Sequence, residues 1–160
     1  MGFFDSAKKF IGMNTIELAM EAQPTFSVTD NSVKGILKIK GISDQVIRSV
    51  NLEFIREVDV THRDQDGYSD TKTKKTTMGR SRAIAPTSIG EGEEVQLDFE
   101  ISFLYEKSFI ERMKSKEGMM GKIFKHIHEA YDRDEYFIEA TVDLADVAMD
   151  PSVRTTVKRI

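Results

Sequence analysis

Between Glu94 and Phe103 the chain alternates without a break. Val95, Leu97, Phe99, Ile101 and Phe103 are apolar; Glu94, Gln96, Asp98, Glu100 and Ser102 are polar. Successive side chains of a strand point to opposite faces, so this run demands one buried face and one solvated face. A strand of this kind must find a second apolar layer to cover its inner side.

Shorter runs repeat the pattern. Ile16, Leu18 and Met20 alternate with Glu17 and Glu21. Pro24 interrupts, then Phe26 and Val28 read as a short strand before a turn at Thr29–Ser32. Val33 to Lys40 alternates again, with Gly35 as a bulge or a close backbone approach. A longer strand over Val50–Val60 places Val50, Leu52 and Phe54 on one face, and Arg56 would follow them inward. A bulge at Ile55–Arg56 is the expected remedy, returning Val58 and Val60 to an apolar face. The alternative is a buried ion pair, which needs a carboxylate partner for Arg56.

Asp64-Gln65-Asp66-Gly67 is a hairpin turn signal, and the return strand Thr71–Met78 is rich in Lys and Thr with no apolar face. It should be an exposed edge protected by its lysines. Tyr136, Ile138, Ala140, Val142 and Leu144 form another alternating strand. Asp150-Pro151 turns, and Val153, Thr155 and Val157 close the chain. Strands follow strands directly, which argues against parallel βαβ topology. The expected fold is mainly β: an antiparallel, immunoglobulin-like sandwich forming one domain over residues 1–160.

Two segments follow the helical period instead. Phe3, Phe4, Ala7, Phe10 and Ile11 make an amphipathic stripe, so the spacing predicts a helix over residues 2–12. Ser108 and Glu111 form a capping box, and Met120, Ile123, Phe124, Ile127 and Tyr131 recur at helical spacing. A helical insertion is therefore expected over about residues 108–132.

Composition excludes several functions. The 160 residues include no cysteine, which removes disulfides, thiolate zinc sites and thiol catalysis and fits a reducing compartment. Charged residues make up 31%, with a net charge of −4 and both signs interspersed, so no basic footprint for nucleic acid is present. No apolar run is long enough to cross a bilayer, and the first residues lack the pattern of a secretory signal. A cytoplasmic location is expected.

No catalytic or cofactor motif stands out. There is no G-x-S-x-G elbow, no Walker loop and no G-x-G-x-x-G, and Gly90-Glu91-Gly92 reads as a turn before a strand. His126 and His128 are two apart, so on a helix they point to nearly opposite sides and cannot chelate one ion. Asp64, Asp66, Gly67 and Asp70 resemble a calcium loop, but its twelfth position would be Lys75 rather than Glu. Met1-Gly2-Phe3-Phe4-Asp5-Ser6 fits the permissive myristoylation pattern and is read as chance. No catalytic residue, metal ligand or cofactor is assigned, and the chain is not expected to be an enzyme.

Three stretches together resemble a known group. Asn31–Ile39 followed by Ile47–Phe54 is similar to the paired early strands of arrestin-like proteins. Gly92-Glu93-Glu94 running into Leu97–Ile101 is similar to a later strand of that group. Tyr136–Ile160, with Ala140–Leu144 and Met149-Asp150-Pro151, resembles the closing strands of bacterial sporulation-control proteins of the SpoOM type, whose chains also open on a Phe-Phe segment like Phe3-Phe4. The prolines that the group places after the later strand are missing around Phe103–Ser108, where the helical insertion stands instead. The chain is long enough for a single arrestin-like lobe. The resemblance implies a regulatory or scaffolding role, related to sporulation or stress control and exercised through contacts with other proteins. It carries over no catalytic residue.

The candidate contact residues are the two amphipathic stripes: Phe3, Phe4, Phe10 and Ile11, and Met119, Met120, Ile123, Phe124 and Ile127. Each stripe would dock on the protein's own sheet, on a partner, or on a second copy. A rival reading makes the chain a peripheral membrane adaptor anchored by residues 2–12; with Lys8 and Lys9 as the cations there, that attraction would be weak. Recognition by a scaffold would otherwise use a sheet edge, by strand addition.

Overall fold

The computed structural model describes residues 15–63, 66–105 and 131–160. The predicted helices over 2–12 and about 108–132 lie outside these residues, apart from the last two positions of the second. Tyr131 and Asp132 belong to a strand, not a helix. Pairing with a neighbouring strand overrides the helical spacing there, since Tyr131 sits opposite Val60.

Nine strands make up the described chain: β1 (Ile16–Ala22), β2 (Thr25–Phe26), β3 (Ser32–Gly41), β4 (Gln45–Arg63), β5 (Ser69–Ala83), β6 (Ser88–Ile89), β7 (Glu94–Ser102), β8 (Tyr131–Leu144) and β9 (Ser152–Arg159). One sheet has the order β1-β3-β7. The other has the order β2-β9-β8-β4-β5, with β6 joined to β4. All pairings are antiparallel except the two-residue pair of β2 with β9, which is parallel. That short parallel contact and the small strand β6 have no counterpart in the sequence pattern, because two residues are too few to show a period.

Alternation fixes which face each strand buries. Leu97, Phe99, Ile101 and Phe103 of the β7 run are buried, as are Ile16, Leu18 and Met20 of β1 and Val33, Leu37 and Ile39 of β3. They face Val50, Leu52 and Phe54 of β4, Tyr136, Ile138, Ala140 and Val142 of β8, and Val153 and Val157 of β9 in one apolar cluster. Full burial of a large side chain such as Phe54 contributes about 2–3 kcal/mol. Phe26 anchors one end of this core. Its ring meets those of Phe54, Phe103 and Tyr136 edge-on at centroid distances of 5.0, 5.7 and 4.8 Å. Val28 does not join Phe26 in a strand. It lies in the turn after β2 and is exposed, because the Asp30 carboxylate accepts a hydrogen bond from the Ser27 amide and bends the chain away.

Gly35 is a point of close approach. A Cβ on it would stand 2.5 Å from both the Phe99 ring and the Glu21 carbonyl oxygen. Gly79 plays the same part between the sheets, since a Cβ there would stand 2.2 Å from the Ser102 carbonyl oxygen of β7. The two sheets therefore close together where β5 passes β7.

The bulge expected in β4 lies in β5 instead. Phe54 pairs with Gly79 and Ile55 with Thr77, leaving Met78 without a partner. On the other side, Phe54, Ile55 and Arg56 pair in step with Ile138, Phe137 and Tyr136. Strand β4 thus keeps its phase, and Arg56 does follow Phe54 to the inner face, where it is buried.

Candidate interaction surface

Strand β5 is the edge of the larger sheet. Its inner end, near Gly79, lies against β7. From Thr71 to Thr76 every residue is exposed. This half pairs with β4 from Arg56 outward, beyond Phe54, the last β4 residue of the core cluster. The hairpin β4–β5, backed by the start of β8, therefore continues past the core as an arm with one open edge. Its tip turns through Asp66 and Gly67, the latter at φ 83°, a conformation that glycine adopts without strain. The acidic residues there form no cluster fit for a metal among the described residues.

The bulge at Met78 decides which way the arm's lysines point. Lys72 and Lys74 pair with Val60 and Val58 and so share the face of Arg56; Lys75 pairs with Glu57 on the opposite face. Across that opposite face runs a ladder of charge. Arg80 donates to Glu53 at 3.0 Å, and Arg154 donates to Glu139 at 3.1 Å and to Glu57 at 2.8 Å. Burial opposes the charge of Arg154, but the hydrogen bonds it donates to Glu57 and Glu139 more than offset that and raise its pKa. The guanidinium also stacks over the Phe137 ring at 4.7 Å. Between Thr77 and Phe137, Ile55 is fully buried on this face.

The base of the arm is built around Arg56. Its Nε and Nη2 donate to the two carboxylate oxygens of Asp134 at 2.9 and 2.8 Å. The guanidinium lies 5.6 Å from the ring centres of both Tyr105 and Tyr136. Arg159 donates to the Tyr105 hydroxyl and stands over the same ring. The Tyr136 hydroxyl is buried and meets no hydrogen-bond partner in good geometry among the described residues. Burial holds its pKa well above the usual tyrosine value, and the nearby Tyr105 hydroxyl adds to that. The ion pair is thus the correct reading of Arg56, and the bulge is not. Asp134 precedes Tyr136 by two residues and shares its face, so the alternation of β8, extended back from Tyr136, marks it as the partner.

A shallow groove of about 630 Å³ crosses the outer face of the smaller sheet, lined by Glu21, Gln23, Lys34, Ile36, Asp98 and Glu100 among others. Two of its charged groups meet across strands: Glu100 accepts from Ser32 at 2.7 Å and lies 3.9 Å from Lys34. The Gly90-Glu91-Gly92 segment is a turn, as its composition suggests. Gly90 and Glu91 donate their amides to the carboxylates of Glu93 and Asp44 at 2.8 and 2.9 Å.

The candidate contact residues Phe3, Phe4, Phe10, Ile11, Met119, Met120, Ile123, Phe124 and Ile127 all lie outside the described residues, as do His126 and His128. The surface that the structure does display, the open half of β5, comes from the lysine-rich segment and not from either amphipathic stripe. No described helix is long and apolar enough to cross a membrane.

No family model matches the sequence, and no curated protein matches it. Among solved structures, the chain is similar to Spo0M, a sporulation control protein from Bacillus subtilis, with a TM-score of 0.62 over 93% of this chain at 16% identity. The chain spans 50% of the length of that protein. The described residues therefore share the fold of Spo0M, as the resemblance in the early and closing strands implied.

Proposed function

We propose that this chain is a non-enzymatic, cytoplasmic regulatory protein of the arrestin-like kind, which acts by holding other proteins. One observation carries the proposal: beside a filled core, the molecule presents half of an edge strand, Thr71–Thr76, fully exposed and, among the described residues, unpaired on its outer side. An open edge offers a row of backbone donors and acceptors to a second chain. The shared fold with a sporulation control protein supports a regulatory role. The absence of cysteine supports a reducing compartment.

The test is cross-linking in the native host followed by recovery of the full chain. Repeated capture of the same protein partners is expected. Recovery of the chain alone, across growth conditions, contradicts the reading.

A further inference from the structure

We infer that the open edge of β5 receives an acidic, extended segment of a partner protein, which adds to the sheet as a strand beside Thr71–Thr77. The inference rests on the scaffold reading above and specifies its partner chemistry. Three lysines, Lys72, Lys74 and Lys75, stand within this stretch, and no acidic residue does. The chain as a whole carries a net charge of −4, so this strand is a basic stripe on an acidic molecule. Lys74 and Lys75 enter no ion pair among the described residues, and Lys72 reaches only the exposed Asp70, at 4.0 Å.

Charge also selects against the other occupant, a second copy of the chain. Two β5 edges laid side by side would bring lysines against lysines, an arrangement that repels and that natural edges use to prevent self-association. An acidic strand removes that repulsion and gains backbone hydrogen bonds over about 23 Å of edge, at about 3.3 Å per residue. The faces set a pattern for it. Lys72 and Lys74 lie on one face and Lys75 on the other, so the segment should carry two acidic residues two apart, with a third acidic side chain on its reverse.

The test uses the full chain and a soluble peptide of alternating Glu and Thr, about eight residues long, with one Thr replaced by Glu to supply the acidic group on the reverse face. A Lys–Thr peptide and a backbone N-methylated Glu–Thr peptide serve as comparisons. The Glu–Thr peptide is expected to bind, to weaken with added salt, and to slow amide exchange over residues 71–77. The K72E/K74E/K75E variant should lose binding by about tenfold or more and should acquire binding to the Lys–Thr peptide, a gain that misfolding cannot produce. The N-methylated peptide should fail. No binding, binding undiminished by the charge reversal, an N-methylated peptide that binds equally well, or protection confined to another surface each overturns the inference. Recovery of two chains joined at β5 favours the second copy and overturns it as well. If host partners are still captured by the charge-reversed variant, the scaffold reading stands and only the β5 assignment falls.

Discussion

Arg56 reaches past Tyr136, its register partner on β8, to grip Asp134, which sits opposite Val58. The contact is a two-pronged guanidinium–carboxylate pair, and the two ends are not equally buried. The Arg56 side chain is 10% exposed and that of Asp134 31%.

The asymmetry predicts unequal costs. Asp134→Ala strands a buried guanidinium and should cost about 3 kcal/mol. Arg56→Met leaves a carboxylate that water can reach and replaces the guanidinium with an apolar chain of similar length, so the loss should be about 1 kcal/mol or less. Urea unfolding midpoints at constant m-value check this; equal losses would show that the pair is solvated as a unit.

Tyr136 should make the protein sensitive to alkali. Its pKa in the folded state lies above the ordinary value, so the unfolded chain loses the phenolic proton first as pH rises. The stability contribution is fully present below about pH 10 and declines above it, by about 1.4 kcal/mol per pH unit. Tyr136→Phe should remove this part of the decline. At neutral pH it should change stability by less than about 1 kcal/mol, because it deletes a buried hydroxyl that has no well-formed hydrogen bond. Denaturant titrations of both proteins from neutral pH to pH 11 provide the comparison.

Gly79→Ala should destabilise by about 1–3 kcal/mol, since the added methyl would meet a backbone carbonyl of β7 that cannot rotate aside. Gly35→Ala meets both a ring and a carbonyl. Shortening the ring in a Gly35→Ala/Phe99→Leu double variant should recover only part of the loss. Thermal unfolding of the three variants tests the ranking, and full recovery in the double variant would show that the Glu21 carbonyl yields.

Amide exchange along β5 should alternate over Thr71–Thr76. Amides bonded to β4 should exchange slowly, and those on the open side quickly. Uniform protection in the isolated protein would mean that another chain or segment already covers the edge.

Much of this architecture can be read from residue order, and the reason is visible strand by strand. Leu97–Phe103, Tyr136–Leu144 and Leu37–Ile39 alternate because one face is dry and the other wet, and the structure buries the residues so marked. The lysines of β5 likewise announce an exposed edge. The pattern misleads where a tertiary contact outweighs it. Arg56 breaks the apolar phase and invites a bulge, yet the bulge falls on the partner strand at Met78 while Asp134 neutralises the arginine in place. Tyr131 fits a helical stripe, yet pairs with Val60 as a strand. Strand β6 is too short to carry any period, and Ile89 is held by its pairing to β4.

Strand β4 belongs to both halves of the molecule. It runs unbroken from Gln45 to Arg63, with its first part in the core and its last part in the arm. Nineteen residues of extended chain measure about 60 Å. No loop interrupts it at the boundary, so there is no joint at which the arm could swing freely. A protein clasped at the outer half of β5 would be held at a set angle to the body, like cargo on a fixed bracket, and a force on the bracket would pass straight into the packing around Phe54.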